Sequence, residues 1–366
     1  MLIHHFYPRT SNIGDHFVQR GIAAMIRRVV PEATFELLNV NSRGQQKTDY
    51  GLTQSAVQRA NRWADLIIVG GSNLYEGAFG WPWGVHLDAD ALKNLRVPLF
   101  LLGIGTGSSF DATLHKPSAR ARAEIKLLND YATLSGARDV TTIDWLSQLG
   151  VTKAKLMGDP ATFIFNHPQR PSRTGHILVT IPPRRVWSGK RQFWRVHTRG
   201  RSTFRALAGT TEKLLADGHQ VVVACNDPYD LPVARKLFAG SLSHPVICPK
   251  TAEEYFHLIL TSRAVISGRL HTAVVAFSLG IPFLLIDIDG RTRGFIKTYE
   301  LDQWAVIPSE SIAARLTAQT TNLLQEGTSA SWQSRIEKRD QMESVAMTLL
   351  KDALKPIMEK GVVASQ

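Results

Sequence analysis

The stretch PLFLLG at residues 98–103 is an apolar run, followed by the helical pattern SARARAEIKLLND at 118–130 and a second apolar run, ATLS, at 132–135. The order is strand, helix, strand. Short apolar runs that alternate with longer helical stretches predict a parallel sheet covered by helices on both faces. This segment therefore predicts an α/β fold.

The same alternation extends along most of the chain. Before residue 160 it predicts strands at 3–7, 34–39, 66–69, 98–103, 132–135 and 154–157. It stops at NHPQRPSRTG (residues 166–175), where two prolines and a glycine are typical of a linker. A second series then predicts strands at 177–181, 220–224, 264–267 and 283–287.

The chain has 366 residues, enough for two domains of ordinary size. We predict one α/β domain at 1–168 and another at 175–308. Only helical patterns follow, at 309–325 and 331–360, so the segment 309–366 is predicted to be helical and to pack across both domains.

Composition excludes several classes of protein. Apolar residues make up 44% of the chain and charged residues 20%, which excludes disorder. Two cysteines, Cys225 and Cys248, support neither a zinc site nor a disulfide framework, and a reducing compartment is expected. The first residues lack the pattern of a secretory signal, and the longest uncharged stretch is too short to span a bilayer. A soluble, cytoplasmic protein is expected.

The net charge of +12 favours an anionic partner, which could be nucleic acid, a membrane surface or a phosphorylated small molecule. Residues 184–205 hold eight of the cations and no acid, with Trp187, Phe193 and Trp194 between them. Such a segment, predicted as a loop, suits phosphate together with stacked rings, and the alternative is a solvated loop. The rest of the chain is nearly balanced in charge, which disfavours nucleic acid.

In open parallel sheets, ligands bind at the carboxyl ends of the strands, so the loops there are the candidate sites. Asn12, Gly14 and Asp15 follow the first strand and open a helical pattern, where backbone N–H groups can hold an anion. The alternative for Asp15 is a helix cap.

Glycines follow the third and fourth strands, at GGSNLY (70–75) and GIGTG (103–107). They allow close approach of a ligand to the backbone, but the spacing is not GxGxxG, so a nicotinamide enzyme is disfavoured. Arg138-Asp139 follows the fifth strand, and the favoured interpretation is a local ion pair with Asp139 as cap of the helix at 140–149.

The strongest candidate is SGRLH at residues 267–271, between an apolar strand and an apolar helix. It places Arg269, a permanent cation, two residues before His271, which titrates near neutrality. The alternative is a structural histidine paired with Asp287 or Asp289.

Together these residues resemble the polysaccharide pyruvyl transferases. The resemblance runs from about residue 12 to about 301, and is carried by NxGD (12–15), GG (70–71), GxG (103–105), RD (138–139), DP (159–160), SxRLH (267–271), GxP (280–282) and RGF (293–295). It implies two Rossmann-like domains facing across a cleft, similar to the GT-B glycosyltransferases. The sequence departs from the family at Ser72, which is usually glycine, and at Gly268, which is often larger.

The resemblance implies transfer of pyruvate from phosphoenolpyruvate onto two sugar hydroxyls as a cyclic ketal. His271 would be the acid, and Asp15, expected on the opposite side of the cleft, the base. Arg269 and Arg184, or Arg185 if the register shifts by one, would bind the donor. The further substrate-binding residues are expected to be Asn12, Gly14, Gly70, Gly71, Asn73, Gly105 and Arg138.

No metal and no cofactor besides the donor are expected. The acceptor is expected to be a glycan or a lipid-diphosphate-linked sugar, met at the inner face of an anionic membrane through the basic segment. Two rival functions remain open. One is a nucleotide-sugar glycosyltransferase of the same shape, and the other is a protein that binds anionic glycan or nucleic acid without catalysis.

Overall fold

The computed structural model describes residues 1–9, 12–41, 50–76, 83–107, 116–164, 175–183, 194–239, 246–326 and 330–363. These residues form two separate parallel sheets with helices on their faces. The predicted α/β class with two parallel-sheet domains is therefore confirmed. The predicted linker falls almost wholly outside the described residues.

The first sheet has six parallel strands in the order β2-β1-β3-β4-β5-β6. The strands are β1 (Leu2–Tyr7), β2 (Thr34–Asn39), β3 (Leu66–Gly70), β4 (Leu99–Ile104), β5 (Leu134–Ala137) and β6 (Lys155–Leu156). Every residue of β3, β4 and β5 is buried, as expected for central strands covered on both faces.

Five helices accompany the first sheet: α1 (Ile13–Arg27), α2 (Gln54–Trp63), α3 (Ala89–Lys93), α4 (Ala119–Tyr131) and α5 (Val140–Gln148). Trp83, Tyr75 and Trp145 pack in the core with the aliphatic residues of the strands. A short 3-10 turn, Pro160–Phe163, follows β6.

The second sheet has five parallel strands in the order β11-β10-β9-β7-β8. They are β7 (His176–Thr180), β8 (Val221–Ala224), β9 (Ser262–Ser267), β10 (Phe283–Ile286) and β11 (Ala305–Val306). The sequence analysis did not predict the two-residue strand β11.

Among the residues that the structure describes, seven helices follow β7: α6 (Trp194–Ala216), α7 (Leu231–Leu237), α8 (Ala252–Leu260), α9 (Leu270–Ser278), α10 (Gly290–Tyr299), α11 (Ile312–Glu326) and α12 (Ala330–Val363). The rings of Phe277, Phe283 and Trp332 meet in the core of this half with centroids 5.5–6.0 Å apart. They bury apolar area against the sheet.

The prediction that residues 184–205 form a loop is wrong for its second half. Helix α6 begins at Trp194, inside the segment predicted as a loop. In the helix, the backbone N–H and C=O groups of this segment pair with each other. Arg201 and Arg205 are four residues apart and so lie one helical turn apart. Residues 184–193 lie outside the described residues.

The chain divides into two compact units. The first consists of residues 1–10, 18–164 and 339–366, and the second of residues 11–17 and 165–338. Helix α12 thus begins in the second unit and ends in the first. No helix among the described residues is both long and apolar enough to span a membrane.

Candidate functional site

The turn after β9 is held by the hydroxyl of Ser267. This hydroxyl donates to the carbonyl oxygen of Arg269 at 2.6 Å and accepts from the Arg269 N–H at 3.0 Å. It lies 3.0 Å from the hydroxyl of Thr180 at the end of β7, which must then be the donor, because the Ser267 proton is already committed. The backbone between strand and helix is thereby fixed.

Gly268 occupies a position where no larger residue fits. A Cβ added there would lie 2.7 Å from the carbonyl carbon of Ile181 and 2.5 Å from Cδ of Pro182. This close packing of the two loops explains why this chain carries glycine at position 268.

The side chain of Arg269 is fixed by two neighbouring loops. Its Nε donates to the carbonyl of Ile181 at 3.2 Å, and its guanidinium forms an ion pair with Asp230. The side chain of Asp230 is 4% exposed and that of Arg269 16% exposed. A permanent cation therefore reaches the surface at the carboxyl edge of the second sheet.

His271 lies in the first turn of α9, with its ring against Gly14. A Cβ added at Gly14 would lie 2.9 Å from Cγ of His271 and closer still to Nδ1. Contact grouping places residues 11–17 in the same compact unit as His271, and the expected roles of Asp15 and His271 on opposite sides of a cleft stay a prediction. The glycine leaves room for the imidazole beside the helix, and Asp15, which is buried, is the next residue.

Asn12, and not Asp15, caps α1. The helix begins at Ile13, and the Oδ1 of Asn12 accepts from the N–H of Gly14 at 3.2 Å. Because Asp15 already lies within the first turn, the alternative in which it is the cap is wrong. An acidic residue in the first turn remains favourable for the helix dipole.

A buried polar network lies next to the turn. The hydroxyl of Tyr255 donates to the Oδ1 of Asn226 at 2.6 Å and lies 2.7 Å from the hydroxyl of Thr272, the residue after His271. Burial raises the pKa of Tyr255 well above its usual value, so this phenol keeps its proton. The network joins the ends of β8 and α9 through α8.

The alternative partners of His271 are engaged with arginines. Asp287 forms an ion pair with Arg293, and Asp289 accepts from Nε of Arg291 at 3.0 Å. Asp289 also caps α10. These contacts fix the start of α10 after β10.

In the first unit, the two glycine loops are bonded to each other. The N–H of Gly71 donates to the carbonyl of Leu102 at 2.9 Å, and the N–H of Gly105 donates to the carbonyl of Ser72 at 3.0 Å. A Cβ at Gly70 would lie 3.1 Å from the oxygen of Leu102. These contacts hold the loops in one arrangement, with Asn73 directly after them.

Ser72 adopts the left-handed backbone region with φ of 62°. This conformation favours glycine, the residue that the resemblance led us to expect at this position. The backbone therefore keeps the geometry of a glycine loop although the side chain has changed.

Arg138 is buried in an internal network. Its Nε donates to Asp139 at 3.1 Å, its Nη2 donates to the carbonyl of Thr106 at 3.3 Å, and its guanidinium lies against Gly105. Asp139 caps α5 by accepting from the N–H of Thr142 at 2.8 Å. The predicted ion pair and cap are confirmed, and binding of substrate by Arg138 stays a prediction.

Asp159 completes this network at the end of β6. Its Oδ1 accepts from the N–H of Ala161 at 3.0 Å. Burial raises its pKa to about 6 despite the nearby charge of Arg138. The first unit thus contains a buried carboxyl group that exchanges a proton near neutral pH.

The predicted donor residue Arg184 lies outside the described residues, as does its neighbour Arg185. Of the same basic segment, Arg201 and Arg205 are exposed on α6. They line one wall of an open cleft of about 590 Å³ between α6 and α11, with Glu310 on the other wall.

Sequence reasoning missed Asp230, Asn226 and Tyr255. A signal for two of them was present, because Asn226 and Asp230 follow an apolar strand in a stretch with Asp227-Pro228, which is typical of a turn at the sheet edge. Among the described residues, no three His, Cys, Asp or Glu side chains come together as a metal site.

Solved structures with the same fold cover nearly the whole chain. UDP-GlcNAc 2-epimerase from Neisseria meningitidis, bound to UDP-GlcNAc, has a TM-score of 0.58 at 11% identity over 97% of this chain and 99% of its own. UDP-N-acetylglucosamine 2-epimerase from Rickettsia bellii has a TM-score of 0.57 at 11% identity over 98% and 97%. At such identity these likenesses show the fold alone, that of the GT-B glycosyltransferases and epimerases.

No curated protein matches the sequence. The sequence profile of polysaccharide pyruvyl transferases, however, matches residues 12–290, about three quarters of the chain. The matched region begins at the Asn12 turn that meets His271 and includes the Arg269 turn. This chain belongs to the polysaccharide pyruvyl transferase family.

Proposed function

We propose that this protein transfers pyruvate from phosphoenolpyruvate onto two hydroxyls of a glycan or glycolipid sugar, forming a cyclic ketal and releasing phosphate. The observation that carries the proposal is the turn after β9, where Arg269 is held at the sheet edge two residues before His271. Family membership supports the reaction class.

The donor carries a carboxylate and a phosphate, and both suit the planar fork of an arginine. Arg269 is the proposed partner for one of these groups. Arg184, or Arg185 one residue later, is proposed for the other.

The reaction needs an acid, because the methylene carbon of the donor must be protonated before C2 can be attacked. In the proposed sequence, His271 gives a proton to this carbon and an acceptor hydroxyl attacks C2. The C–O bond to phosphate then breaks, and the second hydroxyl closes the ring. The two acceptor hydroxyls release two protons. One of them replaces the proton that His271 gave, and the other leaves on the released phosphate.

The base proposed for the hydroxyl protons is Asp15. Gly14, its chain neighbour, lies against the ring of His271, so acid and base come from adjoining turns of one unit. This placement supports a short path between the two groups. Asn12, Gly14, Gly70, Gly71, Asn73, Gly105 and Arg138 are proposed to shape the substrate sites.

The decisive experiment incubates the protein with phosphoenolpyruvate and candidate acceptor sugars and measures phosphate release and product mass. His271→Ala should abolish release without unfolding the chain. Arg269→Ala should raise KM for the donor, losing roughly 1.5–3 kcal/mol of a charged hydrogen bond. The control is His257→Ala, an exposed histidine of α8. If His271→Ala keeps most of its turnover, the acid is another group.

A nucleotide-sugar glycosyltransferase is the second candidate function, because the Neisseria meningitidis structure of the same fold holds UDP-GlcNAc. Equilibrium dialysis with UDP-GlcNAc separates the two. The pyruvyl transferase predicts no retention of the nucleotide sugar, and retention with release of UDP would replace the proposal.

We also propose that the basic segment brings the protein to an anionic membrane where the acceptor is linked to a lipid diphosphate. Arg201 and Arg205 are exposed one turn apart on α6. At about 1 kcal/mol per basic residue near such a surface, the pair contributes about 2 kcal/mol, a roughly 30-fold difference in binding.

The test is sedimentation with phosphatidylserine vesicles at low and high salt. Arg201→Ser/Arg205→Ser should weaken binding while turnover on a soluble acceptor is retained. Lys351→Ser/Lys355→Ser is the matched control, since these are also exposed, one turn apart and on a helix. Equal loss in both pairs, or a wild-type protein that ignores the vesicles, removes this part of the proposal.

A further inference from the structure

Asp230 lies in the loop after β8, outside the motifs of the sequence. It ends a short 3-10 turn, Pro228–Asp230, that begins where Asp227 accepts from the N–H of Tyr229 at 3.0 Å. The turn directs the carboxylate toward Arg269, and the two form an ion pair.

Because Asp230 is buried, its carboxylate requires a cation beside it. A carboxylate that is 4% exposed has lost most of its hydration, which costs several kcal/mol unless a cation compensates. Arg269 supplies the cation, and the buried carboxylate in turn holds its guanidinium.

Three neighbouring strands fix the orientation of the guanidinium. Arg269 itself follows β9. Its Nε donates to the carbonyl of Ile181, which follows β7, at 3.2 Å, and its guanidinium pairs with Asp230, which follows β8. Contacts in two directions define the plane of a rigid group. A guanidinium carries five N–H donors, so such contacts can set the plane while other donors meet an oxyanion.

We propose that Asp230 is a positioning residue that holds the Arg269 guanidinium in the plane in which it meets an oxyanion of the donor. This inference rests on the proposed function. Bidentate recognition of phosphate or carboxylate depends on the angle of the fork, and a misplacement of about 1 Å can cost about 100-fold in rate.

The effect of Asp230→Asn should separate kcat from KM. Asparagine keeps the shape of the side chain and an acceptor oxygen but removes the negative charge beside Arg269. Attraction of the anionic donor is then retained or strengthened, so KM should change less than 3-fold. The ion pair is lost and only a weaker neutral hydrogen bond can replace it, so the guanidinium is held less firmly and kcat should fall 10-fold or more.

A double-mutant cycle tests whether Asp230 acts through Arg269. Arg269→Lys keeps a cation but has no planar fork to orient. In that background, Asp230→Asn should change kcat less than 2-fold. The control is Asp217→Asn, an exposed carboxylate of the second unit with the same change of charge. An equal loss of kcat in both backgrounds overturns the proposal.

A readout without turnover separates this inference from the proposed function. The rate at which a dicarbonyl reagent labels Arg269 is followed by peptide mass spectrometry, with Arg263 as internal reference. Loss of the ion pair in Asp230→Asn should raise the labelling of Arg269 several-fold and leave Arg263 unchanged.

If wild-type protein releases no phosphate from phosphoenolpyruvate, the proposed function fails, and the assignment of Asp230 to this donor fails with it, whatever the labelling shows. If wild type is active but the variant has unchanged kcat and unchanged labelling, the positioning role is refuted and the proposed function stands.

Discussion

Replacing Gly14 by alanine should move His271 and leave the fold almost untouched. The added Cβ would lie 2.9 Å from Cγ of the imidazole, where ordinary contact begins at 3.4 Å. The ring must therefore retreat by at least about 0.5 Å, and by more at Nδ1, which lies closer. Since about 1 Å of misplacement can cost about 100-fold, we expect kcat for phosphate release to fall by about 10- to 100-fold.

Stability should respond differently. Gly14 lies in the first turn of α1, and alanine is up to about 1 kcal/mol better than glycine in a helix. This gain offsets the cost of moving one side chain, so the free energy of unfolding should change by less than about 1 kcal/mol. A large loss of activity without a loss of stability identifies displacement of the histidine as the cause.

Gly209→Ala is the matched control. Gly209 is exposed within α6, and a Cβ added there meets nothing within 4 Å. It should gain about 1 kcal/mol in stability and keep kcat. Urea unfolding gives the stability of both variants, and phosphate-release kinetics give their kcat. Wild-type kcat in Gly14→Ala would refute the placement of His271 as the acid.

Two buried groups should give opposite pH dependence of stability. The pKa of Asp159, raised to about 6, means that the folded chain keeps a proton that the unfolded chain loses from about pH 4. The free energy of unfolding therefore falls by about 2 kcal/mol as pH rises from 4 to 6, and by about 3 kcal/mol over the whole titration. Asp159→Asn should abolish this slope in urea titrations. Burial lowers the pKa of His5 to about 4, so the unfolded chain binds this proton at a higher pH than the folded chain does. The free energy of unfolding therefore falls by a similar amount as pH falls from 6.5 to 4, and His5→Gln should remove this loss. Unchanged slopes in the two variants would contradict both predictions. Ser72→Gly should raise the free energy of unfolding by up to about 1 kcal/mol. A serine in the left-handed region costs about 1–2 kcal/mol, and the greater chain entropy of glycine offsets about 0.5–1 kcal/mol of the gain. A urea midpoint below that of wild type would show that the strain is absent.

The sequence predicts the strands well because buried parallel strands are continuous apolar runs. The apolar run at 98–103 is displaced by only one residue from the fully buried β4, and the predicted strand at 34–39 coincides with β2, an edge strand that is only partly buried. The first part of helix α6 was predicted as a loop, because basic and aromatic residues there give no clear helical period.

The site was predictable where it is local in sequence. The turn that carries Arg269 and His271 was identified from one stretch, and the family from the order of several. Asp230 was not, because its pairing depends on two loops 39 positions apart that only the strand order β9-β7-β8 brings close. The contact between Gly14 and His271 is more remote still.

Helix α12 gives the chain a constraint on how it is made. Residues 339–366 belong to the first unit, and Arg28 forms an ion pair with Glu343 there. These residues are synthesised only after all of residues 165–338. The first unit therefore cannot complete its fold until the second unit has been synthesised. A released chain truncated after residue 338 should therefore lose protease resistance in its first unit before its second.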